Sequence, residues 1–357
     1  MKQTCFCTPG KWNRFQVSGT SQEPYTNIMW RWHIKTHWRC IRSDGMTRRQ
    51  RIVMAVVIGG SLVYIILTQV FLVFAGAPGE PLHPEVRKFC SAAIKKNVSI
   101  AEEEGMPIIY VVTPTYRRPE MIAELTRLGQ TLTMVQRIHW IVAEDSGTCT
   151  AAITILMQRL GLPYTHLASP MPDVYRRERY VPRGVSNRRA ALQWVKEHGE
   201  DNGVLFFLDD DNAVDIRLFD EMRSTDKVSM WPVGLIGDYT VSSPVVNEGK
   251  VVGFYDGWPA GRKFQVDMAG FAVGVGYLKK QKKVTMPYIA GHEEDGFLKS
   301  LNLSIKDIEV KADGCTNILV WHTRTAKNPS RTLKLDNHQN DNIKILTDNM
   351  REMGMIK

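Results

Sequence analysis

Residues 204–212 read Val-Leu-Phe-Phe-Leu-Asp-Asp-Asp-Asn, an apolar strand running straight into three consecutive carboxylates. Ligands of an open α/β sheet bind outside the carboxyl ends of its strands. Asp209, Asp210 and Asp211 therefore stand where a divalent cation and a diphosphate would be held, and helical spacing resumes over 217–223. By itself an acidic run is ordinarily a solvated turn or a helix start, because carboxylates favour the positive end of the helix dipole. A plain turn, however, gains nothing from three adjacent like charges after an apolar strand. Hard cations such as Mg²⁺ and Mn²⁺ take oxygen ligands, commonly one or two protein carboxylates plus substrate phosphates. The feature points to a metal-dependent enzyme acting on an activated, phosphate-bearing donor.

The neighbouring segments supply such a sheet. Ile108 to Thr113 is an apolar, β-branched strand, followed by a turn at 114–119 and a helix with Met121, Leu125 and Leu128 on one face. His139 to Ala143 is a second strand, ending in Glu144-Asp145. Helices near 150–160 and 185–197 and a strand near 165–167 continue a βαβα alternation. That alternation predicts a mostly parallel sheet with helices on both faces. After Met222 the strands shorten, at 228–232, 251–254 and 271–275, with glycine-rich joints. One α/β domain is expected over 107–329, a nucleotide-binding half followed by an acceptor half, with 330–357 as a polar tail.

Upstream, no charge interrupts 52–78, about 25 apolar residues and enough to cross a bilayer. The run starts too late for a cleaved signal peptide, so 52–76 is expected to be a retained signal-anchor. Residues 1–51 hold ten of the chain's 46 Lys and Arg but only two of its 37 acids. By the positive-inside rule that arm is cytosolic, making the chain a single-pass type II membrane protein with a lumenal stem over 77–106. The remainder is nearly neutral, 36 basic against 35 acidic residues, so the formal charge of +9 belongs almost entirely to the arm. A nucleic-acid partner is therefore not expected. Beyond the anchor lie Cys90, Cys149 and Cys315, for which one intrachain bridge, an intermolecular bridge through Cys90, or buried thiols are all allowed. Asn97 and Asn302 head glycosylation sequons.

Further candidates lie along the domain. Gly291-His-Glu-Glu-Asp295 reads either as an exposed helix start or as the seat of a general base, Glu294, which takes a proton from an attacking hydroxyl. His322 and Arg324 follow an apolar strand and suit a diphosphate, since a guanidinium fork matches phosphate oxygens; strand-end packing is the alternative. Arg183 and Arg188 reach a nucleotide or an anionic sugar from a helix N-terminus. Trp258, Arg262 and Asp267 combine an aromatic plate with polar neighbours, which suits a sugar.

Pro114-Thr115-Tyr116, Glu144-Asp145, Pro182-Arg183-Gly184-Val185, Asp209-Asp210-Asp211-Asn212, Trp231-Pro232-Val233-Gly234, Val266 to Val273, Gly291-His292-Glu293-Glu294 and Leu319 to Thr325 together closely resemble the animal β-1,3-glucuronosyltransferases, glycosyltransferase family 43, in order and spacing over 107–329. The resemblance implies a GT-A fold, with a Rossmann-like nucleotide-binding half, in a Golgi membrane enzyme that works as a homodimer. It implies inverting transfer of glucuronic acid from UDP-glucuronic acid to the 3-hydroxyl of a terminal β-galactose. The Gal-Gal-Xyl linkage of proteoglycans is the favoured acceptor; other galactose-terminated glycans are the runner-up, and an inactive glycan-binding protein is the rival. Carried over by motif, Asp211 resembles the Mn²⁺ ligand, Asp210 the ribose contact and Asp209 a donor-sugar contact. Tyr116 and Asp145 would hold the uracil, Arg183 and Arg188 the nucleotide and glucuronate, and His322 and Arg324 the diphosphate. Glu294 would be the catalytic base, and Trp258, Arg262 and Asp267 acceptor contacts. One departure stands out: where the family usually carries an acceptor-contacting glutamate, this chain has Ser242.

Met46-Thr-Arg-Arg-Gln-Arg, directly before the apolar run, would by itself make a short basic tail. We expect Met46 to be the start used in the cell; mass spectrometry of the native protein that recovered peptides from 1–45 would overturn this.

Overall fold

The computed structural model describes residues 87–93, 105–326 and 341–356, together with Thr47 and the pairs 7–8 and 39–40. Residues 1–82 are a unit of their own, in which Cys7–Thr8 pairs antiparallel with Arg39–Cys40. The expected anchor at 52–76 lies outside the described residues, as do Asn97 and most of the stem. No helix among the described residues is long and apolar enough to cross a membrane.

Residues 83–357 form a mixed α/β unit. Its main sheet has eight strands: β1 (Lys88–Ala93), β2 (Ile109–Thr115), β3 (Ile138–Glu144), β4 (Tyr164–Ala168), β5 (Val204–Phe207), and three more. A smaller sheet contains β6 (Ala213–Val214), β8 (Val233–Gly234), β9 (Val241–Asn247), β10 (Lys250–Tyr255) and β13 (Val320–Trp321). The main sheet is completed by β7 (Val228–Met230), β11 (Phe271–Gly274) and β12 (Ile308–Val310). Its order is β12-β7-β11-β5-β2-β3-β4-β1, and the smaller sheet runs β10-β9-β8-β13-β6.

The centre of the main sheet is parallel: β2 lies between β5 and β3, and β3 pairs β4 in the same sense. Parallel strands need crossovers, and three helices provide them: α1 (Met121–Leu132), α2 (Ala151–Leu160) and α3 (Val185–His198). Side chains alternate across a strand, so the apolar runs split cleanly between two cores. Tyr110, Val112, Leu205 and Phe207 face α3 residues such as Val185, Ala191 and Val195. Ile109, Val111, Val204 and Phe206 share the opposite core with Met121, Leu125 and Leu128 of α1 and Leu156 of α2. Burial on both faces is why these strands are continuously apolar rather than alternating.

Three features depart from the sequence reading. The main sheet is mixed: the strands of the βαβα stretch pair in parallel as expected, but β11 runs antiparallel to both β5 and β7. The stem segment contributes β1, which pairs antiparallel with β4, so it covers a sheet edge that would otherwise present unpaired amides. Nothing in the local pattern of Lys-Phe-Cys-Ser-Ala-Ala signals this; partners distant in sequence hold it, including Ser91 Oγ to the Tyr164 hydroxyl at 2.8 Å and Arg87 to Glu197 at 3.0 Å. Residues expected as a polar tail contain α5 (Asp341–Glu352), whose Arg351 carbonyl accepts from Arg117.

Of the three cysteine arrangements open from sequence, the structure has an intrachain disulfide, Cys90–Cys149, tying β1 to the loop that leads into α2. Cys315 remains a thiol, its pKa pushed up to about 11 by burial. The bridge closes a separation of 59 residues, for which loop-closure entropy gives ~4 kcal/mol. Cys149→Ser is expected to lose about 2–4 kcal/mol in denaturant unfolding, with dithiothreitol producing the same loss in the parent chain. An unchanged midpoint in both would show that the bridge does not close in the native protein.

Candidate active site

Because β2, β3 and β5 run parallel, the residues after them emerge on one side of the sheet. Tyr116 follows β2, Asp145 follows β3 and the Asp209–Asp211 run follows β5, and all line a cleft of about 810 Å³. The cleft also receives Arg183 and Arg188 from the start of α3, and His322 and Arg324 from the segment after β13. Gly184 caps α3 in a left-handed conformation, φ +75°, which strains any other residue, and a Cβ there would stand 2.6 Å from Arg188 Nη1 and push that guanidinium aside.

The three carboxylates have three different environments. Asp209 pairs with Arg188, whose side chain is only 7% exposed; burial opposes the charge on Arg188, but Asp209 outweighs it and raises its pKa. Arg188 Nε, by contrast, is buried without a partner. Asp210 is buried, accepting from Thr115 Oγ1 and from Arg118 Nη2, each at 2.7 Å. Asp211 is partly buried, and its backbone carbonyl accepts from Arg127 at 2.8 Å and from Thr323. Burial first, then Asp210 and Asp209, raise its carboxyl pKa. A carboxylate whose ionisation is disfavoured by adjacent negative charge is stabilised by a cation, and carboxylate oxygen is a donor that hard cations take. In the same turn Asn212 Oδ1 is buried with no hydrogen-bond partner. This donor set fits Mn²⁺ or Mg²⁺.

Other carboxylates near the cleft are held by partners that the sequence did not reveal. Asp145 accepts from Arg176 and, at 2.8 Å, from the Met171 amide. Arg118 lies 4.8 Å over the Tyr116 ring while binding Asp210. Arg118 and Arg176 are close to candidate residues only in space or in an unpatterned turn, so no motif could have singled them out.

A second cavity, of about 200 Å³, gathers Trp258, Arg262, Asp267 and Glu294, with Glu293 and Asp256 in its lining. Glu294 lies in the first turn of α4 (Glu293–Ser300), anchored below by buried Phe297 and Leu298. Its pKa is pushed up to about 8 by burial, then by Glu293 and Asp267. Glu293 is shifted upward as well, by burial. The cavities meet where His322 of the larger one bonds through Nδ1 to Asp267 of the smaller at 3.0 Å. That bond raises the His322 pKa against the effect of burial. Charge also crosses the junction, since Arg188 acts on Glu294.

A carboxyl whose pKa is about 8 when folded and near 4.5 when unfolded holds its proton only in the native state between those values. Native stability therefore falls as pH rises through that window, by an amount on the order of a few kcal/mol. Glu294→Gln removes the ionisation. Its melting temperature is expected to exceed that of the parent at pH 8.5, with the gap closing toward pH 5; a gap independent of pH would contradict this environment for Glu294.

Comparison with known proteins follows the same lines. The model of glycosyltransferase family 43 matches residues 128–326. Galactosylgalactosylxylosylprotein 3-beta-glucuronosyltransferase S of Drosophila melanogaster is 51% identical over 253 residues, 70% of this chain and 62% of that protein. Galactosylgalactosylxylosylprotein 3-beta-glucuronosyltransferase 2 of Mus musculus is 44% identical over 246 residues, 66% of this chain and 75% of that protein. The chain thus spans less than two thirds of the Drosophila relative. Among solved structures, S. aureus TarS 1-349 is similar over 60% of each chain at 14% identity and a TM-score of 0.39, too slight a likeness to bear on function. With more than half its length matched by the family model and close relatives on both sides, the chain belongs to glycosyltransferase family 43.

Proposed function

We propose that this chain is an inverting glucuronosyltransferase of GT-A fold. It moves glucuronic acid from UDP-glucuronic acid to the 3-hydroxyl of a terminal β-galactose, foremost that of the Gal-Gal-Xyl linkage of proteoglycans. The observation that carries the reading is the junction of two cavities, one lined by carboxylates and cationic forks, the other by a basic carboxylate and an indole, across His322 and Asp267. Relatives named for this activity support it.

In this reading the larger cleft takes UDP, with Tyr116 and Asp145 at the uracil, Asp210 at the ribose, and Arg183 and Arg188 at the nucleotide and glucuronate. Asp209 meets the donor sugar, and His322 and Arg324 face the diphosphate, where a protonated imidazole and a guanidinium counter its charge. Asp211 holds Mn²⁺, which when bound neutralises charge on the departing diphosphate. Glu294 accepts the proton of the acceptor O3–H as that oxygen forms its bond to the anomeric carbon. The bond from that carbon to the diphosphate oxygen breaks, its electron pair leaves with UDP, and the single displacement inverts configuration. The environment that raises the Glu294 pKa makes its carboxylate form a stronger proton acceptor, while the fraction in that form grows as pH rises toward about 8. Trp258 offers an apolar face to the galactose ring, with Asp267 and Arg262 beside it.

Golgi residence, a type II anchor over 52–76 and a homodimeric assembly complete the proposal. Action on other galactose-terminated glycans is favoured by one observation: Ser242, where a glutamate is expected, is buried and bonded within the protein.

The test is transfer from labelled UDP-glucuronic acid by the detergent-solubilised chain to Gal-β1,3-Gal-β1,4-Xyl and Gal-β1,4-GlcNAc. Transfer to the first, abolished by EDTA and restored by Mn²⁺, is expected. Glu294→Gln should keep UDP affinity and lose roughly 10²- to 10⁴-fold in rate. Near-parental turnover in that variant would remove Glu294 from the role, and exclusive use of the second acceptor would reassign the pathway.

A further inference from the structure

Ser242 and Asp256 meet beside the smaller cavity. Ser242, in β9, is buried, and its hydroxyl donates to Asp256 Oδ2 at 2.5 Å. The other carboxylate oxygen, Oδ1, accepts from the Trp258 amide at 2.7 Å and from Arg262 Nη2 at 2.9 Å. The Asp256 and Arg262 side chains retain only 6% and 5% exposure. Arg262 Nε then donates back to the Trp258 carbonyl at 3.0 Å. The backbone of Trp258 is thereby gripped at both its N–H and its C=O, while the side chain stays exposed. Its indole lies against Gly291, where a Cβ would come within 3.2 Å of Nε1 and φ is +80°.

We propose that Asp256 is the positioning residue of the acceptor cavity, holding Trp258 in place as a sugar-binding plate both directly and through Arg262. The inference rests on the reading of this cavity as the acceptor side. It deepens that reading by naming the residue on which acceptor affinity depends in this chain. An exposed aromatic plate held by a buried ion pair loses less freedom when a pyranose ring docks on it than one on a free loop. The Ser242 hydroxyl proton is committed to Asp256, so the carboxylate of this wall comes from position 256 rather than 242. Ser242 acts as one of three donors that orient Asp256.

The detergent-solubilised chain tests this with Mn²⁺, UDP-glucuronic acid and the galactoside it uses best. Asp256→Ala is expected to raise the acceptor KM roughly tenfold or more, the scale of losing hydrogen bonds to a buried charge. UDP affinity, measured by calorimetry, should stay parental. Asp256→Asn keeps an oxygen for the Trp258 amide and is expected to fall between the two. Removing one member of a buried ion pair strands the other, so D256A/R262M, which removes both charges, guards against misfolding and should show the same raised KM. A parental acceptor KM in D256A and D256A/R262M, or a rise matched by an equal loss of UDP affinity, would overturn the proposal. A parent chain that transfers to no galactoside would instead sink the acceptor reading itself, and this inference with it.

Discussion

Three carboxylates in sequence at the end of a buried strand repel one another, and the geometry of the site follows from how that repulsion is relieved. At a few ångströms, like charges cost about 4 kcal/mol per pair at a protein-surface dielectric. Asp209 is relieved by Arg188, sent from the start of α3 past a glycine that leaves room for it. Asp210 turns inward to Thr115 and Arg118, on the neighbouring strand end and the turn after it. Asp211 faces the cleft, its ionisation disfavoured by its surroundings. Two of the three carboxylates thus have cationic partners from within the chain, and the third is the one to which the proposed function gives a cation.

The second cavity relies on an opposite device. Glu294 is surrounded by Glu293 and Asp267, and burial adds to the pressure against its charge. A fold gains no stability from such an arrangement, but a proton acceptor gains basicity from it. Asp267 serves both sides: it discourages ionisation of Glu294 and favours protonation of His322. Glu294 and His322, the proton acceptor and the diphosphate-facing cation of the proposed function, are therefore coupled through one carboxylate. The rigid α4, whose Phe297 and Leu298 are buried in the core, fixes the position of Glu294 relative to that junction.

Much of the fold was legible in the chain because its signals are local. The apolar runs expected at 108–113, 139–143 and 204–208, found as strands at 109–115, 138–144 and 204–207, and the helical spacing from Met121 and over 185–197, found as helices at 121–132 and 185–198, each reflect a nearest-neighbour requirement: a strand buried on both faces, or a helix with one face in a core. The acidic run and the residues after each parallel strand were legible for the same reason, since a strand end is a local event and parallel ends coincide. The antiparallel β11, the edge strand β1 and its disulfide were not. Their stability comes from partners far along the chain, and Lys-Phe-Cys-Ser-Ala-Ala has no period to announce a strand.

The sequence by itself determined which chemistry is available: carboxylates after a buried strand, guanidinium forks, a glutamate at a helix start and a tryptophan in a glycine-rich loop. Tertiary structure alone decided how each of these is set to work. The protonation bias of Glu294, the different partners of Asp209, Asp210 and Asp211, and the grip of Asp256 on Trp258 depend on distances between segments far apart in the chain. Electrostatic interactions and hydrogen bonds act through space at a few ångströms, and residue order encodes those separations only once the chain has folded.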